Sequence, residues 1–561
     1  MPTLQFKGKN IIWNHHLAVP FHTLDEVPEL HYQPEKANGN MIIEGDNLIA
    51  LKALLPQFAG RINAIYIDPP YNTGNEGWIY NDKVNSPLIK DWIGKEVSKD
   101  DLTRHDKWLC MMVPRLKLLF QLLGENGVIF ISIDDNELSN LISFCNEIFG
   151  EENLIGILPR ITKKAGKTSD NISKNTDYIV IYKRVGNLEL EKIEIDDEGY
   201  KQSDEYEEER GKYKLSQTLD YSSIQYSASL DYEIVLEGEI FRPGNSTKEE
   251  MEERIIRNPK SDWCWRWSKP LFEFGLENGF IVIKESRNGK RIYTKTYSNA
   301  TIENTGSGYQ IKLIERKKNA TTLEFIDNQY SNDNSRKEIE KIFGYKAFDY
   351  SKPSVLIKKI MELASDKNSV ILDSYAGSGT TMHAVMELNK EDGGNRKCIM
   401  VQMTEATEAE PDKNICKDIT RERVKRAIDK YGYDSGFKYY RLGIPLDAET
   451  MLAGQLPTYK QFAKYIYYLC TGENLEAEDK INEADYFVGE YGKQAIYLVY
   501  KQDYETLTRL ALNLTLAEKI KQQQPAKKRI VYAPSCFLDE EYLTDNQIEY
   551  VGIPYNLFQR G

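Results

Sequence analysis

Positions 370 to 381 read Val370-Ile371-Leu372-Asp373-Ser374-Tyr375-Ala376-Gly377-Ser378-Gly379-Thr380-Thr381, an apolar run, a glycine turn and the opening of a helix. A short apolar run bounded by turn residues marks a strand buried on both faces, the kind found in a sheet with helices on either side. Without a Cβ at 377 and 379, the backbone can approach a bound molecule closely where strand hands over to helix. The stretch predicts an α/β fold with a ligand at the C-terminal edge of its sheet. It is not a P-loop, because no Gly-Lys-Ser/Thr follows. Nor is it the dinucleotide fingerprint, whose third glycine would stand where Met382 does.

A second strand-like run, Ile62-Asn63-Ala64-Ile65-Tyr66-Ile67, closes on Asp68-Pro69-Pro70-Tyr71. This places Asp68 at a strand tip, where open α/β sheets hold their ligands. Pro69 and Pro70 fix the backbone and remove two N–H donors, so that carbonyls face the site without a competing donor. Asp68 accepts hydrogen bonds from an amine, and the Tyr71 ring offers a face on which a planar base can stack. Taken alone, the tetrapeptide suits a proline turn and a helix cap equally well.

Together the two stretches resemble the catalytic and cofactor motifs of amino-methyltransferases that use S-adenosyl-L-methionine. Their order, catalytic first and cofactor second, resembles the β class of DNA adenine-N6 methyltransferases. More closely, the chain is similar to the modification (Mod) subunits of type III restriction-modification systems. The likeness is carried by Glu44-Gly45-Asp46-Asn47-Leu48, Tyr66 to Gly74, His105 to Leu116, Gly127 to Glu137, the pair Lys352-Pro353, and Asp373 to Thr381. It covers roughly residues 1–440 and is dense only in the two catalytic halves.

The resemblance implies a Rossmann-like methyltransferase fold with circularly ordered motifs, an inserted target-recognition domain and a C-terminal α/β module. It implies that a target adenine leaves the duplex, that Asp68 and the Pro69 carbonyl accept its N6 hydrogens, and that Tyr71 stacks on it. Cofactor contacts are implied for Asp46, Lys352, Asp373, Tyr375, Ala376, Gly377, Ser378, Gly379 and Thr380. For Asp46, a helix N-cap explains the residue equally well. An acid is expected to bind the cofactor ribose at the end of strand 398–402. That position is Gln402, with Glu405 three residues on, and the sequence leaves the choice between them open. The implied partners are double-stranded DNA, a second copy of the chain and a restriction (Res) helicase–nuclease subunit. A stand-alone adenine or cytosine-N4 methyltransferase, a non-catalytic recognition subunit, and a nucleotide-dependent oxidoreductase on the same layered sheet remain as alternatives.

The landmarks divide the chain into five parts. Residues 1–40 read as an irregular arm and 41–184 as the catalytic half. In the latter, strands at 41–44, 62–67, 127–133 and 178–182 alternate with helices at 46–56, 107–123 and 136–148. Apolar residues at helical spacing in 107–123, Trp108 among them, read as ordinary core. Residues 185–330, charged and tyrosine-rich, fit a target-recognition domain. Its Trp263, Trp265, Arg266 and Trp267, then Arg287, Lys290, Arg291 and Lys295, suit either DNA contacts or a small core. Residues 331–440 form the cofactor half. Residues 441–561 read as a module for dimerisation or partner docking, or as completion of the core, with strands at 495–500, 528–532 and 548–551 and helices at 458–470 and 504–519.

The net charge of −13 does not exclude a DNA partner, because phosphate binding needs only local positive charge. Residues 154–184 supply a local excess of five, from Arg160, Lys163, Lys164, Lys167, Lys174, Lys183 and Arg184 against Asp170 and Asp177. Lys163, Lys164, Lys167 and Lys174 are candidate DNA-backbone contacts. The seven cysteines form no Cys-x-x-Cys pair and the six histidines no ligand spacing, so no metal site is expected and a reducing compartment is. There is no signal-peptide pattern and no apolar stretch near the ~20 residues of a membrane span. A cytoplasmic bacterial protein is expected.

Overall fold

The structure is a computed structural model describing residues 3–73, 101, 103–164, 172–186, 190–194, 199–222, 225–286, 289–314, 317–406 and 410–554. The chain divides into two compact units, Met1–Glu191 with Thr321–Gly561, and Lys192–Ala320.

The larger unit is built on a nine-stranded sheet. In chain order its strands are β1 (His22–Glu26), β2 (Met41–Glu44), β3 (Ile62–Ile67), β4 (Leu123–Ile133), β5 (Leu154–Ile161), β6 (Thr176–Lys183), β7 (Val370–Asp373), β8 (Lys397–Gln402) and β9 (Lys438–Pro445). In space they run β1-β9-β2-β8-β7-β3-β4-β6-β5. The six from β9 to β4 are mutually parallel, while β1 and β6 run antiparallel to their inner neighbours. From β7 the chain winds one way to β8, and from β3 the other way to β4. The boundary between β7 and β3 is therefore a switch point, where such sheets bind ligands beyond the strand ends.

Alternation along the strands sorts their side chains onto two covered faces. Ile65, Ile67, Leu372, Ile399 and Val401 join one core with helices α1 (Asn47–Phe58), α2 (Arg104–Leu122) and α3 (Leu138–Phe149). The buried Ile371, Cys398 and Met400 face the other way. On that side lie α5 (Ser354–Ala364) and α6 (Thr380–Asp392), followed by α7 (Glu422–Tyr431); α4 (Asn332–Phe343) packs on α7.

Three expectations need correction. The segment 1–40 is not an irregular arm: Lys9–Ile12 and His15–Ala18 are helical, and β1 pairs with β9 and closes the edge of the sheet. The expected helix 504–519 is two helices, Tyr504–Leu507 and Leu514–Gln523, because Asn513 accepts the N–H of Leu516 and caps a fresh start. Residues 321–330, expected in the insert, return to the larger unit, where Phe325 O accepts from Ile161 N at 3.0 Å and Tyr330 O from Arg160 at 2.8 Å.

After β9 the chain forms a four-stranded sheet from β10 (Phe487–Tyr491), β11 (Gln494–Leu498), β12 (Lys528–Ala533) and β13 (Ile548–Gly552). Helix α8 (Tyr459–Thr471) joins it to the core: Tyr459 donates to Leu498 O at 3.0 Å, and Ile496, Leu498 and Tyr500 share one apolar cluster with Leu51 and Leu54.

The smaller unit has its own core of Leu219, Ile234, Phe241, Trp265, Phe272 and Ile292. Trp265 is buried, with its indole N–H on Tyr232 O at 2.7 Å, so this member of the tryptophan cluster is core. Lys290 pairs with Glu239, and Lys295 with Asp204 at 2.6 Å. Arg287 lies outside the described residues.

Candidate active site

Strands β3 and β7 pair directly, Ala64 with Ile371 and Ile65 with Leu372. The turn at Asp68 and the turn at 374–379 thus leave the sheet side by side. One ion pair crosses between them: the Lys352 ammonium meets Asp68 Oδ2, although the two residues lie 284 positions apart. The same ammonium stands 5.1 Å from the centre of the Tyr71 ring. The other carboxylate oxygen, Asp68 Oδ1, is buried without a hydrogen-bond partner among the described residues. A buried acceptor of this kind is completed by a donor from outside the chain, a water or a ligand.

Neighbouring side chains brace the loop after Asp68. Trp108 on α2 donates its indole N–H to Pro70 O at 2.7 Å. Tyr71 donates its hydroxyl to Asp177 Oδ2 at 3.1 Å. Asn72, held at φ 58°, donates to Glu137, which also bonds His105 Nδ1 at 2.6 Å and Asn140 Nδ2 at 2.8 Å. Burial pushes the Glu137 carboxyl up, against the pull of these three partners.

The glycine turn is held from three sides. Asp373 Oδ1 accepts from Tyr375 N at 2.9 Å, and Oδ2 from the Thr381 hydroxyl at 2.5 Å. Gln402 Oε1 accepts from Gly377 N at 2.7 Å, while its amide donates to Glu405 Oε1 at 3.0 Å. Gly379 adopts φ 82°, and a Cβ there would meet Thr420 O at 2.8 Å, so only glycine fits. Ser374 Oγ is a second buried group without a partner among the described residues.

Beneath the turn lies a polar network. The fully buried Arg423 donates to Ser351 Oγ at 3.0 Å, Ser378 Oγ at 2.8 Å and Thr380 Oγ1 at 2.6 Å, and pairs with Glu338 at 3.1 Å. Glu338 also meets His383 Nδ1 at 3.2 Å and accepts from Ser354 N at 2.9 Å. Burial alone would raise the Glu338 carboxyl. Arg423 and His383, helped by Ser354, outweigh it and hold the group well below the usual carboxylate range.

These contacts set a family in view. Residues 62–441 match the N6/N4 amino-methyltransferase family described as DNA methylase. The chain belongs to that family. Among curated relatives, the type III restriction-modification enzyme StyLTI Mod subunit of Salmonella typhimurium is 33% identical, over 75% of this chain and 63% of its own length. The EcoPI Mod subunit of Escherichia phage P1 is 30% identical over 69% of this chain and 61% of its own length. Thus the chain spans somewhat under two thirds of these two relatives. The type II methyltransferase M.KpnI of Klebsiella pneumoniae is 32% identical over 68% of this chain and 84% of its own.

The tertiary structure brings Asp68, Pro69, Pro70, Tyr71, Lys352 and the turn Asp373, Tyr375, Ala376, Gly377, Ser378, Gly379 and Thr380 to one edge of the sheet. Asp46 caps α1, accepting from Leu48 N at 2.8 Å and Ile49 N at 3.2 Å, and its Oδ2 lies 3.5 Å from Arg115. Gln402 has its side-chain oxygen committed to Gly377, and burial pushes the Glu405 carboxyl up. The open acceptor on Asp68 suits a donor such as an amine, and the turn, free of a Cβ at Gly377 and Gly379 and flanked by Gln402 and Glu405, suits close approach of a nucleoside-bearing cofactor.

Of the expected DNA contacts, Lys163 is half-buried and Lys164 exposed; Lys174, also exposed, pairs with Asp135 at 3.0 Å. Lys167 lies outside the described residues. Arg160 does not belong with the basic group available to DNA: it is fully buried and bidentate on Asp177.

Sequence reasoning missed Ser374, Glu137, Asp177 and the network of Arg423, Glu338 and His383. Polar residues spaced for a helix or strand carry no local sign that they will be buried together. Trp108 was read as core; it is core, but its indole N–H also holds the loop after Asp68. Trp108→Phe keeps the apolar packing and removes that donor. A roughly 1 kcal/mol loss of stability with about tenfold lower turnover is expected, checked by denaturant titration and a methyl-transfer assay.

The Asp373 carboxyl is pushed up to about 7 by burial, with the Asp68 charge adding to it; Thr381, Tyr375 and Lys352 act the other way. Folded Asp373 therefore keeps a proton that the unfolded chain has lost above its ordinary value of 3.8. Its contribution to stability is complete below about pH 4 and lost as pH rises through about 7. Asp373→Asn is expected to flatten the pH dependence of thermal stability between those limits. An unchanged slope would remove Asp373 as its source.

Proposed function

We propose that this protein methylates N6 of adenine in double-stranded DNA and serves as the modification and specificity subunit of a type III restriction-modification system. The open Asp68 Oδ1, at a strand tip beside the turn of Gly377 and Gly379, is the observation that carries the chemistry. The turn from Asp373 to Thr380 would hold S-adenosyl-L-methionine, which when bound would supply a methyl group already activated for direct transfer to an amine. Asp68 and the Pro69 carbonyl accept the two amine hydrogens and turn the nitrogen lone pair toward the donor side. Tyr71 holds the ring of a base that has left the helix. Positioning is most of what the side chains add, and no general base is needed before attack, because the proton is lost afterwards from the cationic methylated product while the thioether departs.

The Mod-subunit reading rests on the names of the relatives, and it brings with it a Res helicase–nuclease subunit, a homodimer and a recognition role for Lys192–Ala320. The wide coverage of M.KpnI favours a second reading, a methyltransferase acting alone. Incubation with labelled S-adenosyl-L-methionine and unmethylated bacterial DNA, followed by nucleoside mass spectrometry, tests the chemistry. N6-methyladenine supports it, N4-methylcytosine redirects it, and no labelled product overturns it. Co-purification with a helicase–nuclease encoded beside it separates the two assemblies.

A further inference from the structure

We propose that Asp177 is a positioning residue that fixes the plane of the Tyr71 ring through the tyrosine hydroxyl, with Arg160 holding Asp177 in place. The inference rests on the reading of Tyr71 as the ring that meets the target base, and goes beyond it by naming what orients that ring.

The geometry follows from strand direction. Because β6 runs antiparallel to β4, its first residues lie beside the last residues of β3 and β4, at the edge where Tyr71 emerges. Asp177 and Arg160 are direct cross-strand partners on β6 and β5. Arg160 grips both carboxylate oxygens, Nε to Oδ1 at 2.8 Å and Nη2 to Oδ2 at 2.5 Å. Its remaining nitrogen donates to Tyr330 O at 2.8 Å and Asn332 Oδ1 at 3.0 Å. Asp177 is 2% exposed and Arg160 fully buried. Asp177 Oδ2 accepts the Tyr71 hydroxyl at 3.1 Å.

Stability alone gives a weak reason for such a pair. Taking both charges out of water offsets most of their attraction, and apolar residues of similar volume often do as well. The pair does give Tyr71 a rigid acceptor on a strand, which its own loop after two prolines does not supply. A ring that must lie flat against a base gains from having its plane set beforehand. Burial, with Asp177 adding to it, pushes the Tyr71 hydroxyl well above its ordinary range and keeps it a donor.

The test is a double-mutant cycle in methyl transfer, using the full-length protein. Tyr71→Phe keeps the ring and the ion pair and removes only the hydroxyl. It is expected to lower kcat about tenfold, with KM for S-adenosyl-L-methionine and for DNA unchanged. Asp177→Asn is expected to lower kcat to the same extent in the wild-type background and to add nothing in the Tyr71→Phe background. An equal loss from Asp177→Asn in both backgrounds would show a purely structural role and overturn the proposal. Should Asp177→Asn fail to fold, Tyr71→Phe decides alone, and wild-type kcat in that variant overturns it. A wild-type protein that transfers no methyl group to DNA would instead remove the functional reading and this inference with it.

Discussion

Asp68→Ala is expected to lower methyl transfer by about a hundredfold to a thousandfold while leaving DNA binding largely intact. The size follows from what is removed, an anionic acceptor aimed at the reacting amine in a water-poor site, where single groups of this kind are worth about 10²–10³ in rate. The effect falls on kcat because Asp68 Oδ1 is buried and makes no other bond among the described residues. Its partner oxygen meets Lys352, so the variant also leaves an ammonium without its carboxylate. Cofactor binding is therefore measured separately, by calorimetry, to keep the two losses apart. Normal methylation by Asp68→Ala would sink the assignment of the residue.

The second large effect is expected at a residue that touches no substrate. Glu338→Ala leaves Arg423 buried with its charge uncompensated, a loss of about 3–5 kcal/mol for pairs of this kind. Arg423 in turn holds Ser378 and Thr380, so the variant should bind S-adenosyl-L-methionine weakly as well as unfold early in urea. The pH dependence has a definite sign. Glu338 is held below its ordinary 4.5, so its contribution is present above that value and disappears as pH falls through the folded value. The wild type should lose stability in acid more steeply than Glu338→Ala. Equal acid profiles would exclude Glu338 as the source.

Much of the site was legible because its groups lie in short stretches with local meaning. Asp68 to Tyr71 follow a strand, and Asp373 to Thr380 form a turn whose glycines have a backbone reason. Helix ends were less legible, because capping by Asn513 depends on one side chain. The edge strand His22–Glu26 was missed because its pairing partner stands at 438–445. The tryptophans at 263–267 suited both core and contact, and only packing separated Trp265 from a DNA-facing role.

The sequence by itself singled out the groups proposed to carry the chemistry: an aspartate before two prolines, a tyrosine after them, and a turn with glycines at 377 and 379. It also determined that each stands at the end of a strand, since apolar runs and turn residues are local signals. Only the tertiary structure decided that the two strands are neighbours, that Lys352 reaches Asp68, and that Asp177 holds Tyr71. Parallel strands pair through backbone groups that are alike at every residue. Which strands meet is therefore settled by the packing of the whole sheet and its helices, and not by any one segment.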